Sequence, residues 1–459
     1  MFKNKFYSRK TILLLIDFAL LFVSLYLALK IRSLWAADSS FYSFSQHFRP
    51  FLVLFLFWLV AFYLFDLYDL KKIRSLAFTI YSIAGALATT LILSVIFFYL
   101  VPFFITPKTV LFLTGAIAFF FLFFWRYLWN QLFKTWNFKR KIAVVGADSA
   151  KIKVLPEILS AGETDCELAG IVRVNSEDPL APNYPILGNY QNLPQIISQY
   201  KIDELITAFD YQSHHEAARE VAECLGSGVQ ITELPIFYER ATGKVPIECI
   251  DQIWFLYNLG EINQKFLEMA ERAVDILLSA LGLVLSLPLL PFIALAIKIN
   301  SAGPIFYSQK RVGKNGVIFK TYKFRTMVRD AEGRTGPTWA GANDPRVTRV
   351  GKFLRKIRLD EIPQLWNVLR GEMSLVGPRP ERPEFVEKLK IEIPFYNRRL
   401  MVKPGLTGWA QIMYKYSSSI DEAMEKLQYD LYYIKNRSLL VYFIILLRTI
   451  RIVLTKQGI

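Results

Sequence analysis

The 459-residue sequence predicts a mixed membrane and α/β architecture. It comprises a helical bundle of four spans, a doubly wound α/β domain, and a second α/β domain, monotopic, held by one re-entrant membrane helix. Three observations predict it. Four apolar runs fill the first third, each close to the roughly 20 residues that an α-helix needs to cross a bilayer. Short apolar strands then alternate with helical stretches from Lys141 onward. A fifth apolar run, within 271–300, is broken at its centre by proline.

Composition agrees. Hydrophobic residues make up 53% of the chain and aromatics 15%, while the formal net charge is +16. That pairing indicates a membrane protein with a positive cytoplasmic face and acidic partners, either anionic lipids or phosphorylated substrates. It argues against nucleic acid, because the excess charge sits partly beside membrane segments. Cys166, Cys224 and Cys249 form no CxxC and no disulfide framework, which points to a reducing compartment.

The first four runs lie at 11–31, 50–70, 78–101 and 109–130. Asp17 interrupts the first, and one carboxylate facing a bundle interior is tolerable. Lys3, Lys5, Arg9 and Lys10 precede the first run; Lys71, Lys72 and Arg74 separate the second from the third; Lys134, Lys139, Arg140 and Lys141 follow the fourth. The opposite loops hold little more than Arg32, Arg49 and Lys108. Positive-inside reasoning therefore predicts a four-span domain over 1–135 with both ends cytoplasmic. The first run could pass for a signal peptide, but three spans follow it, so it reads as a retained anchor.

In the middle domain, 136–262, the strand candidates are KIAVVGA, ELAGIVRV, DELITAFD and GVQITELP, with helices such as HEAAREVAECLGSG between them. This alternation predicts a Rossmann-like unit. The loop after the first strand, Gly146-Ala147-Asp148-Ser149-Ala150, has one glycine where a pyrophosphate loop needs several. The domain therefore reads as structural or regulatory. His214 and His215 lack a partner cluster and read as surface residues.

The third domain, 263–459, opens with ERAVDILLSALGLVLSLPLLPFIALAIKIN, residues 271–300. Straight, its apolar part would be about 40 Å long and could span. Ser286, Pro288 and Pro291 sit at its middle, and basic residues flank both sides: Arg272, then Lys298, Lys310, Arg311 and Lys314. A helix bent at Ser286–Pro288 that enters one leaflet and returns fits both facts; a kinked span is the alternative.

Next, GKNG between two alternating runs signals a β-hairpin, which would put Lys323 and Arg325 on one strand face. In RKIRLDEIPQLWNVLRG, Asp360 with Pro363 three residues on reads as a helix start capped by Asp360. The helix dipole and nearby arginines would hold that carboxylate ionised. An ionised carboxylate can attack phosphorus, and its neighbour Glu361 can hold Mg2+ against phosphate oxygens. Arg379, between Pro378 and Pro380, sits on stiff backbone suited to gripping phosphate. Each piece has a plainer reading: a solvated ion-pair cluster, or a strand with a charged outer face.

Taken together, ERAVDILLSALGLVLSLPLL, AIKINSAGPIFYSQKRVGKNGVIFKTYKFRTM, RVTRVGKFLRKIRLDEIPQLWNVLRGEMSLVGPRPE and KPGLTGWAQI resemble the bacterial sugar transferase family, the monotopic polyprenyl-phosphate phosphoglycosyl transferases. The likeness runs from about 270 to the C-terminus, and the two domains ahead of it resemble the long members, which begin capsule, exopolysaccharide or O-antigen assembly. It implies a bacterial inner-membrane enzyme whose catalytic domain faces the cytoplasm. That enzyme takes a sugar-1-phosphate from a UDP-sugar, glucose or galactose, to undecaprenyl phosphate and releases UMP. Asp360 matches the family nucleophile and Glu361 the magnesium partner. Arg355 matches the arginine for the lipid phosphate, Ser286 and Pro288 the helix break. Pro378, Arg379 and Pro380 match the PRP motif, and Lys323 and Arg325 the KFRT strand. Ile357-Arg358 departs from the family, where a small polar residue often precedes LDE.

The tail, 438–458, reads as an amphipathic helix on the inner leaflet or a core helix. A homodimer is an expected assembly. Two other readings are a membrane-bound nucleotide-sugar dehydratase or epimerase, and an inactive assembly scaffold. The first needs a glycine-rich loop and a Tyr-x-x-x-Lys pair, and the only such spacing, Tyr68 to Lys72, falls at a span's end. The second would not need the Asp360–Glu361 pair.

Overall fold

In a computed structural model, residues 5–35, 43–69, 73, 75–100, 108–135, 139–146, 149–161, 166–175, 184–258, 264–329, 331, 344–414 and 419–455 are described. Lys3, Lys71, Lys72 and Arg74, used above for orientation, lie outside them, as do Ala147 and Asp148. The chain forms two compact units, 1–138 and 139–459.

Among its described residues the first unit has four α-helices: α1 (Lys5–Leu34), α2 (Phe44–Leu64), α3 (Leu76–Leu100) and α4 (Lys108–Thr135). Leu21, Leu25, Phe51, Phe55, Trp58, Phe62 and Leu122 fill its interior, while Leu15, Phe57, Ile92 and Phe120 leave an apolar exterior. Water would not tolerate that exterior; lipid does. Asp17 does face the interior, where Arg126 of α4 grips both of its oxygens at 2.7 and 3.0 Å. The Trp58 indole donates to Ser94 Oγ (3.0 Å).

The second unit begins with β1 (Arg140–Val145), α5 (Ser149–Ala161), β2 (Cys166–Arg173), β3 (Ile186–Asn189), α6 (Leu193–Tyr200), β4 (Glu204–Thr207), α7 (His215–Glu223), β5 (Gln230–Glu233), α8 (Leu234–Thr242) and α9 (Gln252–Asn258). The strands make one parallel sheet in the order β3-β2-β1-β4-β5. Alternate residues of β1 feed two cores: Ile142 and Val144 meet Leu155, Ile158 and Phe237, whereas Ala143 and Val145 meet Leu193, Ile196 and Val221. Burial on both faces is what a parallel sheet requires. The short β3 is absent from the sequence reading because ILGN is too brief to alternate.

The rest of the unit contains α10 (Gln264–Ser286), α11 (Leu290–Asn300), β6 (Phe306–Val312), β7 (Ile318–Phe324), α12 (Arg349–Lys356), α13 (Gln364–Arg370), β8 (Ser374–Val376), α14 (Pro383–Glu392), β9 (Gly405–Thr407), α15 (Trp409–Met413), α16 (Ile420–Lys435) and α17 (Leu439–Thr455). The fifth apolar run does break where expected: α10 stops at Ser286, whose Oγ donates to Leu283 O (2.8 Å), and a 3-10 turn over Leu287–Leu289 leads into α11. With α1 to α4, the 265–300 segment makes five helical stretches among the described residues that are long and apolar enough to cross a membrane. The chain is a membrane protein.

Polar pins hold α10 to the domain behind it. Asp275 accepts from Ser374 Oγ (3.1 Å), Leu375 N (2.8 Å) and the Tyr442 hydroxyl (2.6 Å). Arg272 donates to Val368 O and Leu369 O at the end of α13 (2.5 and 2.6 Å), where helix carbonyls lack partners. The tail helix α17 buries Tyr442 and Ile445 in the core and exposes Leu440 and Phe443.

Candidate active site

The hairpin forms as its sequence demands. Asn315 and Gly316 both take positive φ (57° and 82°), the turn that matches strand twist, and β6 pairs antiparallel with β7. Asn367 then ties β7 to α13: its Nδ2 donates to Lys320 O (2.7 Å), and its Oδ1 accepts from Tyr322 N (3.2 Å). That tie brings the end of β7 beside the segment just before α13, residues Leu359–Glu361.

Asp360 and Glu361 lie in a single 3-10 turn, Leu359–Glu361, and both are 7% exposed. Asp360 is therefore not the cap of α13 that the sequence suggests. Pro363 stands at that position, and the preceding Arg358 has φ 55°, a left-handed backbone that small or polar residues adopt more readily. This is where the family pattern was seen to favour a small polar residue.

Glu361 is the hub. Its Oε1 accepts from Lys323 Nζ (2.8 Å) and from Arg379 Nη2 (2.6 Å), and its Oε2 lies 3.8 Å from Arg358 Nη1. Burial alone would raise its pKa, but Arg379, Lys323 and Arg358 outweigh burial and hold it well below the carboxylate range. Asp360 goes the other way. Burial, reinforced by the charge of Glu361, raises its pKa, against the pull of Lys323, Arg355 and Arg379. The expectation that dipole and arginines would lower it is corrected: desolvation wins at this depth. The pair thus holds one firmly ionised carboxylate and one desolvated, more basic one, the division that separates roles in many active sites.

Four cations face these two carboxylates. Lys323, Arg358 and Arg379 keep a quarter to a third of their side chains exposed. Arg355 donates Nε to Thr326 Oγ1 (2.9 Å), which leaves its charge to act on Asp360 through space. The surplus of positive charge suits a diphosphate. Arg325 does not join them. It lies beyond the last paired residue of β7, buried, donating to Ala302 O (3.0 Å) and to Ser301 O and Oγ (2.7 and 2.9 Å). Its Nη1 occupies the space a Cβ on Gly303 would need. Lys323 and Arg325, expected on one face, are split between the site and the loop after α11.

Sequence reasoning gives Thr326 only as part of KFRT and Asn367 no role, and it places Arg358 among the basic residues just before Asp360 and as a departure from the family without assigning it a role. The position of Arg358 in the basic run was the one usable signal.

Known families bear on this geometry. A bacterial sugar transferase family model matches residues 266–456, and a CoA-binding domain model matches 63–235. A UDP-N-acetylgalactosamine-undecaprenyl-phosphate N-acetylgalactosaminephosphotransferase of Aeromonas hydrophila is 40% identical over 244 residues, 53% of this chain and 56% of the relative. A Bacillus subtilis (strain 168) protein, provisionally named undecaprenyl-phosphate N-acetylgalactosaminyl 1-phosphate transferase, is 47% identical over 144 residues, 31% of this chain and 79% of the relative. The UDP-glucose:undecaprenyl-phosphate glucose-1-phosphate transferase of Escherichia coli (strain K12) is 46% identical over 172 residues, 37% of each. The matches thus span about half or less of the first and third relatives. Fold and site define a membrane protein with a buried carboxylate pair ringed by cations. The chain belongs to the bacterial sugar transferase family.

Proposed function

We propose that this protein transfers a sugar-1-phosphate from a UDP-sugar to undecaprenyl phosphate through a phosphosugar carried on Asp360. The observation that carries the reading is the buried Asp360–Glu361 pair in one 3-10 turn, with Lys323, Arg355, Arg358 and Arg379 around it. An Asp360 oxygen attacks the sugar-bearing phosphorus, the bond from that phosphorus to the UMP oxygen breaks, and UMP leaves. An oxygen of undecaprenyl phosphate then attacks the same phosphorus, freeing Asp360 and giving an undecaprenyl-diphosphate sugar. Lys323 and Arg379 are suited to the donor phosphates and Arg355 to the lipid phosphate.

Glu361 is the residue for Mg2+. Among the described residues no cluster of three metal-ligating side chains exists, and Glu361 Oε1 already accepts from two cations. The fit is therefore to an ion that takes most of its oxygens from substrate phosphates, which is how Mg2+ is commonly held. Bound there, it would neutralise charge developing on the phosphates.

The same reading has four spans with cytoplasmic ends, a re-entrant 271–300 helix and a catalytic domain on the cytoplasmic face of a bacterial inner membrane. It keeps the domain limits 1–135, 136–262 and 263–459, a structural or regulatory middle domain, and a homodimer. Relatives named for N-acetylgalactosamine, glucose and galactose define the test. Purified protein is given each UDP-sugar with undecaprenyl phosphate and Mg2+, and UMP is measured. Turnover of UDP-glucose or UDP-galactose supports the reading; no UMP from any UDP-sugar overturns it. Cysteines introduced near 268 and 302 should both label from the cytoplasmic side; labelling on opposite sides would mean a straight span.

A further inference from the structure

The loop that carries Arg379 is gripped by its carbonyl oxygens. Gly405 N donates to Pro378 O (2.9 Å), Arg399 Nη2 to Arg379 O (2.9 Å) and Arg311 Nη1 to Pro380 O (3.0 Å). Prolines have no N–H, so at 378 and 380 the carbonyl is the only main-chain handle. The grip on Arg379 itself comes from a side chain committed on every arm. Arg399 is buried; it donates Nε to Asp430 Oδ2 (3.1 Å) and Nη1 to the Tyr396 hydroxyl (2.7 Å), and its Nη2 lies 2.9 Å from Asp430 Oδ2. Asp430 is 2% exposed and cancels that charge, so Arg399 adds little field to the cluster around Glu361.

A buried ion pair is costly to desolvate and is weak evidence of stability by itself. This one has a positional consequence. The Arg379 side chain is long and a third exposed, so where its head stands depends on where its backbone is held. Asp430 is in turn held on α16, which also receives the middle region: Val245 N donates to Gln428 O (3.1 Å), and Lys244 Nζ donates to Glu425 (3.0 Å).

We propose that Arg399, oriented by Asp430 and Tyr396, is a positioning residue for the transfer reaction, fixing the main chain at Arg379 so that its guanidinium meets the donor's phosphate. This rests on the phosphoglycosyl transferase reading above. Small misplacements of a binding group are enough to slow an enzyme severely.

The test is a double-mutant cycle on the full-length protein, read as UMP release. Arg399→Met should lower kcat/KM for the UDP-sugar by roughly 10–100-fold, the usual cost of removing a group that orients another. The value for undecaprenyl phosphate should stay near wild type, because the phosphosugar is already on Asp360 and UMP has left before the lipid reacts. In an Arg379→Ala background the same change should cost no more than about twofold, because residues acting through one another are not additive. An Arg399→Met/Asp430→Asn variant removes both buried charges, guards against misfolding, and should keep the donor-specific loss. Equal loss for both substrates, a full loss on top of Arg379→Ala, or wild-type donor kinetics in the charge-free pair would overturn the assignment. Failure of the wild-type enzyme to release UMP would instead remove the reading beneath it.

Discussion

Two buried carboxylate–arginine systems in this chain look alike and do different work. In the helical unit Asp17 and Arg126 are sealed, at most 1% exposed, and matched one charge to one, with the remaining contact of Arg126 going to Leu67 O (3.1 Å). In the other unit two carboxylates face four cations, three of which keep their heads partly in solvent. The first arrangement is balanced in charge and closed to solvent, although Arg126 Nε is buried without a hydrogen-bond partner among the described residues. The second has more cations than carboxylates around it, an arrangement suited to an anion. Balance, more than burial, separates a staple from a site.

The sharpest way to break that contrast is at Asp360. Asp360→Asn should cut UMP release by at least about 10⁴-fold, since removing a nucleophile costs as much in other covalent enzymes. It should not lower the melting temperature. The folded pKa of Asp360 is raised, so its ionised form costs stability, present below the ordinary carboxylate pKa and lost as pH rises through the folded value. A neutral amide avoids that loss, and a lower melting point at pH 7 would count against this picture.

At the staple the effects should reverse. Arg126→Met leaves the Asp17 charge buried without its countercharge, which should cost about 3–5 kcal/mol in a thermal or denaturant melt in detergent. The kcat of the surviving folded fraction should be unchanged. Pairing it with Asp17→Leu should restore most of the loss, and a failure to do so would mean the pair does more than staple.

Arg379→Ala should lower donor kcat/KM by roughly 10–150-fold, equivalent to the about 1.5–3 kcal/mol of a hydrogen bond to a charged group, with little change in melting. Arg355→Gln tests the electrostatics more finely. It removes a charge that pulls the Asp360 pKa down, so the acid limb of the pH profile for donor kcat/KM should move to higher pH. Movement to lower pH would contradict the assigned sign. The smallest effect is expected at Arg325→Lys, which loosens the 301–302 loop by about 1 kcal/mol and leaves donor kinetics near wild type.

Much of this was legible in the sequence, and the failures are instructive. The four N-terminal apolar runs and the proline break near 286 could be read because length and composition are decisive for membrane helices. The parallel sheet followed from alternating strands and helices, apart from β3. The residues around the active centre could be listed, but their partners could not. Whether Lys323 and Arg325 act together depends on strand β7 ending between them, which period-two alternation does not reveal. Whether Asp360 is basic or acidic depends on burial against charge, and a one-dimensional reading counts only the charges. Arg399 and Asp430 stand 31 residues apart, and no local pattern announces that one holds the other.

The most direct measurement is covalent capture. The purified protein is incubated with Mg2+ and a radiolabelled UDP-sugar in the absence of lipid, then digested and mapped. The phosphosugar label should appear on the peptide bearing Asp360, in step with UMP release, and should be discharged when undecaprenyl phosphate is added. An unlabelled protein that still turns over donor and acceptor, or an Asp360→Asn variant that retains activity, would contradict the account.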